Sequence, residues 1–409
     1  MNTLVLIMGL VGLSYLSGLF GRGRAVRGLG LPSGGEWLVV GFLLGPGLLG
    51  VIDHAVQTDV EPVLYVALGW VALVVGLDYG VVRSRRLRPI RMLLGIALGV
   101  LTVGAVALAA WLAIPYLYLG ISFTALERAV LALGLGAVAG ETTSHAVQWV
   151  AEHHGRGGPL AELLDDLAEA KDIVPILVAG VALCLHPRFA VADPTWLTTA
   201  AIPAAVMGMG ALLGAVAAVM LSREKRADQA WGIVVGIGLL ATGTVARLRL
   251  PVVSPLFALG LALGIASRHR DRLRAMIGPT QRSALLPALL LAGARISPQV
   301  FLQHGIVVAV VLVVRAATLY ASGHLVARSG RAKSAVPLLG WAMMPAGELS
   351  MSIGLSFALT FPPKLGEPVL LAAALVTLVG EIVGTLALRA ALGRAGELDP
   401  APVAHVAAT

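Results

Sequence analysis

Residues 162–186 read ELLDDLAEAKDIVPILVAGVALCLH, and the way this stretch joins charge to an apolar run decides the fold. Up to Asp172 it carries Glu162, Asp165, Asp166, Glu169 and Asp172 against one cation, Lys171; beyond Asp172 the run is apolar as far as Leu185. Asp165, Glu169 and Asp172 recur at i, i+4 and i+7, so a helix places them on one face. Predominantly apolar segments of about 17–25 residues have the length that crosses a bilayer, and the run 163–186 belongs to that class. Glu162 to Glu169 also fit a solvated helix start. Asp172, with an apolar segment directly after it, lies within the span, where a carboxylate is costly and by default marks a functional position.

The rest of the chain has the same character. Of 409 residues, 58% are hydrophobic and 13% charged, and the mean hydropathy is +0.89. A soluble chain of this composition could not cover its surface with polar groups. The first run, Leu4 to Phe20, has neither a basic segment before it nor a small-residue cleavage site, so it reads as a retained helix rather than a signal peptide. A single cysteine, Cys184, rules out an intramolecular disulfide. The formal net charge of +8 sits in short loops between apolar runs, so it reads as an orientation signal and not as a nucleic-acid surface. No metal-ligand spacing, nucleophile elbow, phosphate-cradling loop or dinucleotide fingerprint stands in a suitable context. An enzyme and a resident cofactor are not expected.

Hydropathy divides the chain into about 13 spans: 3–20, 36–52, 62–82, 91–115, 127–150, 163–186, 196–221, 229–247, 251–267, 280–297, 304–326, 335–360 and 368–391. Basic clusters follow the first span (Arg22, Arg24, Arg27), the third (Arg83, Arg85, Arg86, Arg88, Arg91), the seventh (Arg223, Lys225, Arg226), the ninth (Arg268, Arg270, Arg272, Arg274), the eleventh (Arg328, Arg331, Lys333) and the last (Arg389, Arg394). All fall on one side. The positive-inside rule then places the N-terminus outside and the C-terminus in the cytoplasm, with Asp165 and Glu169 forming a cytoplasmic funnel above Asp172.

A long-period repeat is also visible. Ala139-Gly140-Glu141-Thr142 recurs as Ala346-Gly347-Glu348-Leu349, an offset of 207 from Glu141 to Glu348. Gly45-Pro46 matches Ser254-Pro255, and Asp172 matches Glu381, each at an offset of 209. A shift of seven spans inverts one half relative to the other. The expected architecture is an all-α polytopic membrane protein: a first inverted repeat over 1–186, a linker helix over 187–228, a second repeat over 229–391 and a short cytoplasmic tail over 392–409. Inverted repeats are a recurring build of secondary transporters, with the site where the halves meet.

Two spans are interrupted at repeat-related positions, the fifth at Gly140-Glu141-Thr142-Thr143-Ser144-His145 and the twelfth at Met344-Pro345-Ala346-Gly347-Glu348. Pro removes a backbone donor and Gly loosens a helix, so both read as broken crossing helices. Glu141 and Glu348 are placed to compensate half-helix ends; Thr142, Thr143 and Ser144 offer hydroxyl oxygens to a cation or, equally, bonds within the helix. Arg315 in the eleventh span reads as a charged strut and Glu381 as its structural partner, or as the partner of a loop cation. Lys171 snorkels to the funnel, pairs with Glu141 or Glu169, or takes part in coupling. His145, His153 and His154 titrate near neutral pH, the last two as surface residues.

These elements, in order, resemble the cation:proton antiporter superfamily, above all the branch holding bacterial sodium/proton and glutathione-gated potassium efflux antiporters. Gly45-Pro46 resembles its Gly-Pro element, Gly76-Leu77-Asp78 its Gly-Leu-Glu, Thr142 to Ala146 its Ser/Thr-rich crossing helix, Lys171-Asp172-Ile173 its acidic pair, and Ala346 to Ser350 its Gly-Gly-Glu-Phe; Arg315 falls near its Lys or Arg. The resemblance implies a homodimer in the bacterial inner membrane, a dimerisation domain, a moving core, and Asp172 as the essential carboxylate. It departs at Lys171, where the family has Asp, Asn or Gln.

The expected activity is therefore exchange of protons for sodium or potassium by alternating access. Asp172 would hold either the proton or the metal cation, with Lys171, Thr142, Thr143 and Ser144 around it. A transport-deficient or channel-like regulator and a proton-coupled anion transporter are the alternatives that Lys171 opens.

Overall fold

Each apolar run after the first folds as helix. The structure is a computed structural model that describes residues 33–84, 89–118, 121–154, 158–185, 196–223, 227–248, 250–267, 270–328 and 336–398. The first run, the clusters at Arg22 to Arg27 and Arg85 to Arg88, and Arg156, Lys225, Arg226, Arg268, Arg331 and Lys333 lie outside those residues. The helices are α1 (Glu36–Leu44), α2 (His54–Asp59), α3 (Glu61–Ser84), α4 (Pro89–Leu117), α5 (Ala125–Gly140), α6 (Ser144–His154), α7 (Pro159–Lys171), α8 (Ile173–Cys184), α9 (Trp196–Arg223), α10 (Ala227–Arg247), α11 (Val253–Ala266), α12 (Arg270–Arg295), α13 (Pro298–Arg328), α14 (Val336–Ala342), α15 (Glu348–Thr360), α16 (Pro363–Val379), a π-helical turn (Gly380–Gly384) and α17 (Thr385–Arg394). Among the described residues, six segments are long and apolar enough to cross a membrane: within α3, α4, α9, α10 and α13, and through α16 to α17. Every described element is helical, as expected of a bilayer-spanning chain whose backbone groups must be satisfied internally.

Local chemistry sets the ends and breaks. Thr124 and Glu127 form a reciprocal capping box at the start of α5. The second run was expected to be helical to residue 52; helix stops instead at Leu44, where Gly45 turns to an extended conformation ahead of Pro46. In the sixth run, Pro175 has no N–H to give to the carbonyl of Lys171, and the helix divides at Asp172 into α7 and α8. The fifth and twelfth runs break at residues 141–143 and 343–347. The two breaks touch, with Thr143 N donating to Pro345 O at 2.9 Å.

The helices pack as two bundles. One contains α1, α3, α9, α10, α11 and α12; the other contains α4 to α8 and α13 to α17, and contacts between the two are sparse. Between helices surrounded by lipid, close van der Waals packing replaces the hydrophobic drive. The first bundle achieves it along the α3–α11 seam, where a Cβ on Gly260 would lie 2.0 Å from Leu73 O and one on Gly76 2.1 Å from Phe257 O. Those backbones are in direct contact, which only glycine permits. Outward faces such as Leu212, Val219 and Leu240 stay exposed.

Candidate functional site

Short helices that begin inside the protein leave N–H groups and positive dipole ends without partners along their own chain. Among the described residues, three such ends near the breaks and the start of α1 each receive a carboxylate from elsewhere in the chain, as α7 does from Glu397. Ahead of α6, Thr142 N donates to Asp172 Oδ1 at 3.2 Å. At α15, Glu141 accepts from Gly347 N (3.0 Å), Leu349 N (3.1 Å) and Ser350 N (2.6 Å). At α1, Glu381 accepts from Ser33 N and, at 3.1 Å, from Gly35 N. Opposite ends are closed by donors. Arg315 Nε and Nη2 donate at 2.9 Å to the carbonyls of Ala139 and Glu141, at the end of α5. The Thr142 hydroxyl donates to Met343 O at 2.9 Å, just past α14.

The expected partners of three residues change in this light. Arg315, 1% exposed, caps carbonyls instead of pairing with a carboxylate, and Glu381 binds backbone N–H groups rather than Arg315. Both side chains answer helix ends, which in a low-dielectric interior replace an ion-pair partner. Lys171 also differs. Its ammonium, fully buried, donates to Thr142 Oγ1 at 2.8 Å rather than pairing with Glu141 or Glu169.

Asp172 is only partly buried because it lines a cavity of about 50 Å³ between the bundles, room for a few waters. Glu169, Thr143, Ser144, His145, Glu141 and Glu348 line it from the second bundle; Asp78, Tyr79, Arg274 and Gln281 line it from the first. Thus Thr143 and Ser144 share the cavity with Asp172, while Thr142 stands behind it, committed to Met343 and Lys171. Asp165, expected beside Glu169 in the funnel, is held by Gln148 Nε2 at 3.2 Å. Glu348, in the first turn of α15, pairs with His145 Nδ1 at 2.7 Å. A second cavity of about 250 Å³ shares His145, Gln148, Gln281 and Glu348 with the first and extends past Ser33, Trp149 and Arg282.

Sequence reasoning missed Tyr79, Gln148 and Gln281, for which it carries no signal beyond polarity in an apolar context. It read Arg274 as an orientation charge, whereas Arg274 Nε meets Asp78 Oδ1 at 2.8 Å in the cavity wall. Asp78 had a signal in Gly76-Leu77-Asp78, and His145 in its place within the break.

No protein-family model matches the sequence, and no curated protein matches it. Solved structures do match. The structure of the sodium proton antiporter MjNhaP1 from Methanocaldococcus jannaschii at pH 8 superposes with a TM-score of 0.69 at 14% identity, covering 97% of this chain and all of that one. An electron-microscopy map of the same antiporter gives a TM-score of 0.64 at 15% identity with the same coverage. Taken with the membrane-length helices and paired breaks, this match shows that the chain is an integral membrane protein with the fold of a sodium proton antiporter.

Proposed function

We propose that the chain is a secondary antiporter that exchanges protons for a monovalent cation, sodium or potassium, by alternating access. The observation that carries this reading is the position of Asp172: one carboxylate oxygen held by Thr142 N, the side chain open to the cavity, and neither Lys171 nor Arg315 bonded to it. Such a carboxylate accepts a proton, or serves as a hard oxygen ligand for a small cation, but not both at once. Thr143 and Ser144 supply neighbouring oxygens. Competition between the two occupants, combined with exposure to one side at a time, yields exchange.

The sign of the cavity favours a cation over an anion. Asp78, Glu141, Glu169, Asp172 and Glu348 line it against Arg274 and His145. A cleft of one dominant sign concentrates counter-ions. The reading places the cavity on the cytoplasmic side of a bacterial inner membrane, with the N-terminus outside, the C-terminus inside and two inverted halves. It includes a homodimer, with lipid against the remaining apolar faces.

The test is proton flux in proteoliposomes under sodium and potassium gradients. Asp172→Asn is expected to abolish cation-driven proton movement; intact flux would sink the proposal. One observation favours a second reading, a regulator that has lost transport: Lys171 stands next to Asp172 in the chain and its amine occupies a Thr142 lone pair. Flux that is absent in the natural chain and appears with Lys171→Asp would establish that reading instead.

A further inference from the structure

Polar contacts described above mostly stay within one bundle. Asp78–Arg274 ties α3 to α12, and Arg295–Glu61, at 3.7 Å, ties the same pair of helices. His145–Glu348, Lys171–Thr142 and the bonds of Glu141 and Arg315 all lie within the second bundle. Glu381 is different. It belongs to the second bundle, yet its carboxylate accepts from Ser33 N and Gly35 N at the start of α1. Helix α1 is part of the first bundle and packs closely on α12: a Cβ on Gly41 would lie 1.9 Å from Leu290 O, and one on Gly34 2.6 Å from the Leu286 side chain. The Glu381 bonds therefore cross from one bundle to the other, and Glu381 is fully buried.

The backbone around Glu381 is also unusual. Residues Gly380–Gly384 form a π-helical turn within an otherwise α-helical segment, a distortion that recurs at functional positions. Its glycines let it press onto the second break: a Cβ on Gly380 would stand 2.5 Å from Met344 O, and one on Gly384 2.5 Å from Pro345 N. The same break is bonded to Thr142 through Met343 O and to Thr143 through Pro345 O. Thr142 N in turn holds Asp172. A continuous path of contacts thus links the carboxylate that crosses the bundles to the carboxylate in the cavity.

We infer that Glu381 is a positioning residue, a carboxylate tether that fixes the second bundle against α1 while the Asp172 cavity is open, and that the transport cycle must release it. This inference rests on the alternating-access reading above, because exposing Asp172 to the other face requires the bundles to shift where Glu381 joins them. A purely structural cap would stay bonded throughout the cycle. The tether instead sets how often the opposite-facing state is visited.

The test uses the full chain in proteoliposomes with Cys184→Ala, and with Ser144→Cys as a reporter in the Asp172 cavity. An impermeant maleimide is added at the face opposite the cavity mouth. Its labelling rate follows the population of the opposite-facing state. Glu381→Gln keeps size but replaces the double acceptor with an amide, and is expected to raise that rate by about tenfold or more. An unchanged rate in folded protein would overturn the inference. Should Glu381→Gln fail to fold, Gly35→Pro provides the second measurement: Gly35 has a φ of −56°, which proline accepts, and the substitution removes one N–H that donates to Glu381 while keeping the carboxylate. Gly35→Pro is expected to raise opposite-face labelling of the reporter severalfold; labelling at the unsubstituted rate would overturn the tether. Labelling needs no ion gradient, so its outcome is separable from a failure of Asp172→Asn to abolish flux.

Discussion

Replacing Glu141 by Gln tests whether the crossing helices are held together by charge at their ends. Glu141 is 1% exposed and spends both carboxylate oxygens on α15: Oε2 accepts from Gly347 N and Ser350 N, and Oε1 from Leu349 N. An amide can keep its carbonyl oxygen on the first pair but must turn its NH2 toward Leu349 N, placing donor against donor. One charge-assisted bond is lost outright, and two become neutral. Hydrogen bonds to charged groups contribute about 1.5–3 kcal/mol each, and stranding a buried donor costs a further amount of similar size. Loss of the carboxylate's interaction with the α15 dipole adds to this, while cavity water on the Glu141 side offsets part of it. The expected destabilisation is about 2–4 kcal/mol. The assay is equilibrium unfolding of the purified protein in mixed micelles with graded denaturing detergent, followed by circular dichroism, comparing Glu141→Gln with the natural chain. A change below about 0.5 kcal/mol would mean that α15 does not depend on this carboxylate, and the account of the paired breaks would fall.

Two other outcomes follow from the same geometry. Gly260→Ala drives a Cβ to 2.0 Å from Leu73 O and should cost more than about 2 kcal/mol in that unfolding assay. Gly104→Ala, with nothing within 4 Å, should be neutral or stabilising by up to about 1 kcal/mol; equal effects at the two sites would refute the backbone seam. Arg274→Gln removes a cation from the cavity wall and frees Asp78, so the KM for the transported cation in the flux assay should fall about three- to tenfold. A KM that rises would contradict an acidic cavity as the source of cation attraction.

The helices were legible because apolar length is a strong signal, and the two large breaks were legible because Gly and Pro punctuate them. Asp172 stood out as an acid ahead of an apolar run. The halt at Leu44 was half-visible: Gly45-Pro46 marked it, but hydropathy carried the run past it. The π-helical turn at Gly380–Gly384 left no trace, since a change in hydrogen-bond register alters neither composition nor apolar period. Charge partners were the least legible. The sequence reading pairs Arg315 with Glu381 and, as one of three alternatives, Lys171 with Glu141 or Glu169, whereas the fold gives these side chains carbonyls, N–H groups and a hydroxyl. Helix ends hold partial charges that exist only after folding, so linear spacing cannot reveal them.

That Glu141 finds its partners on a segment 206 to 209 positions further along the chain bears on how the protein is made. Synthesis proceeds from the N-terminus, so the first crossing segment enters the bilayer with an acid and none of the α15 donors that will receive it. It must keep contact with water, or hold a proton, until α15 emerges. Assembly of the centre is thus a late, single event that joins segments translated far apart, and a chain released before α15 is left with a bare acid where its heart should be.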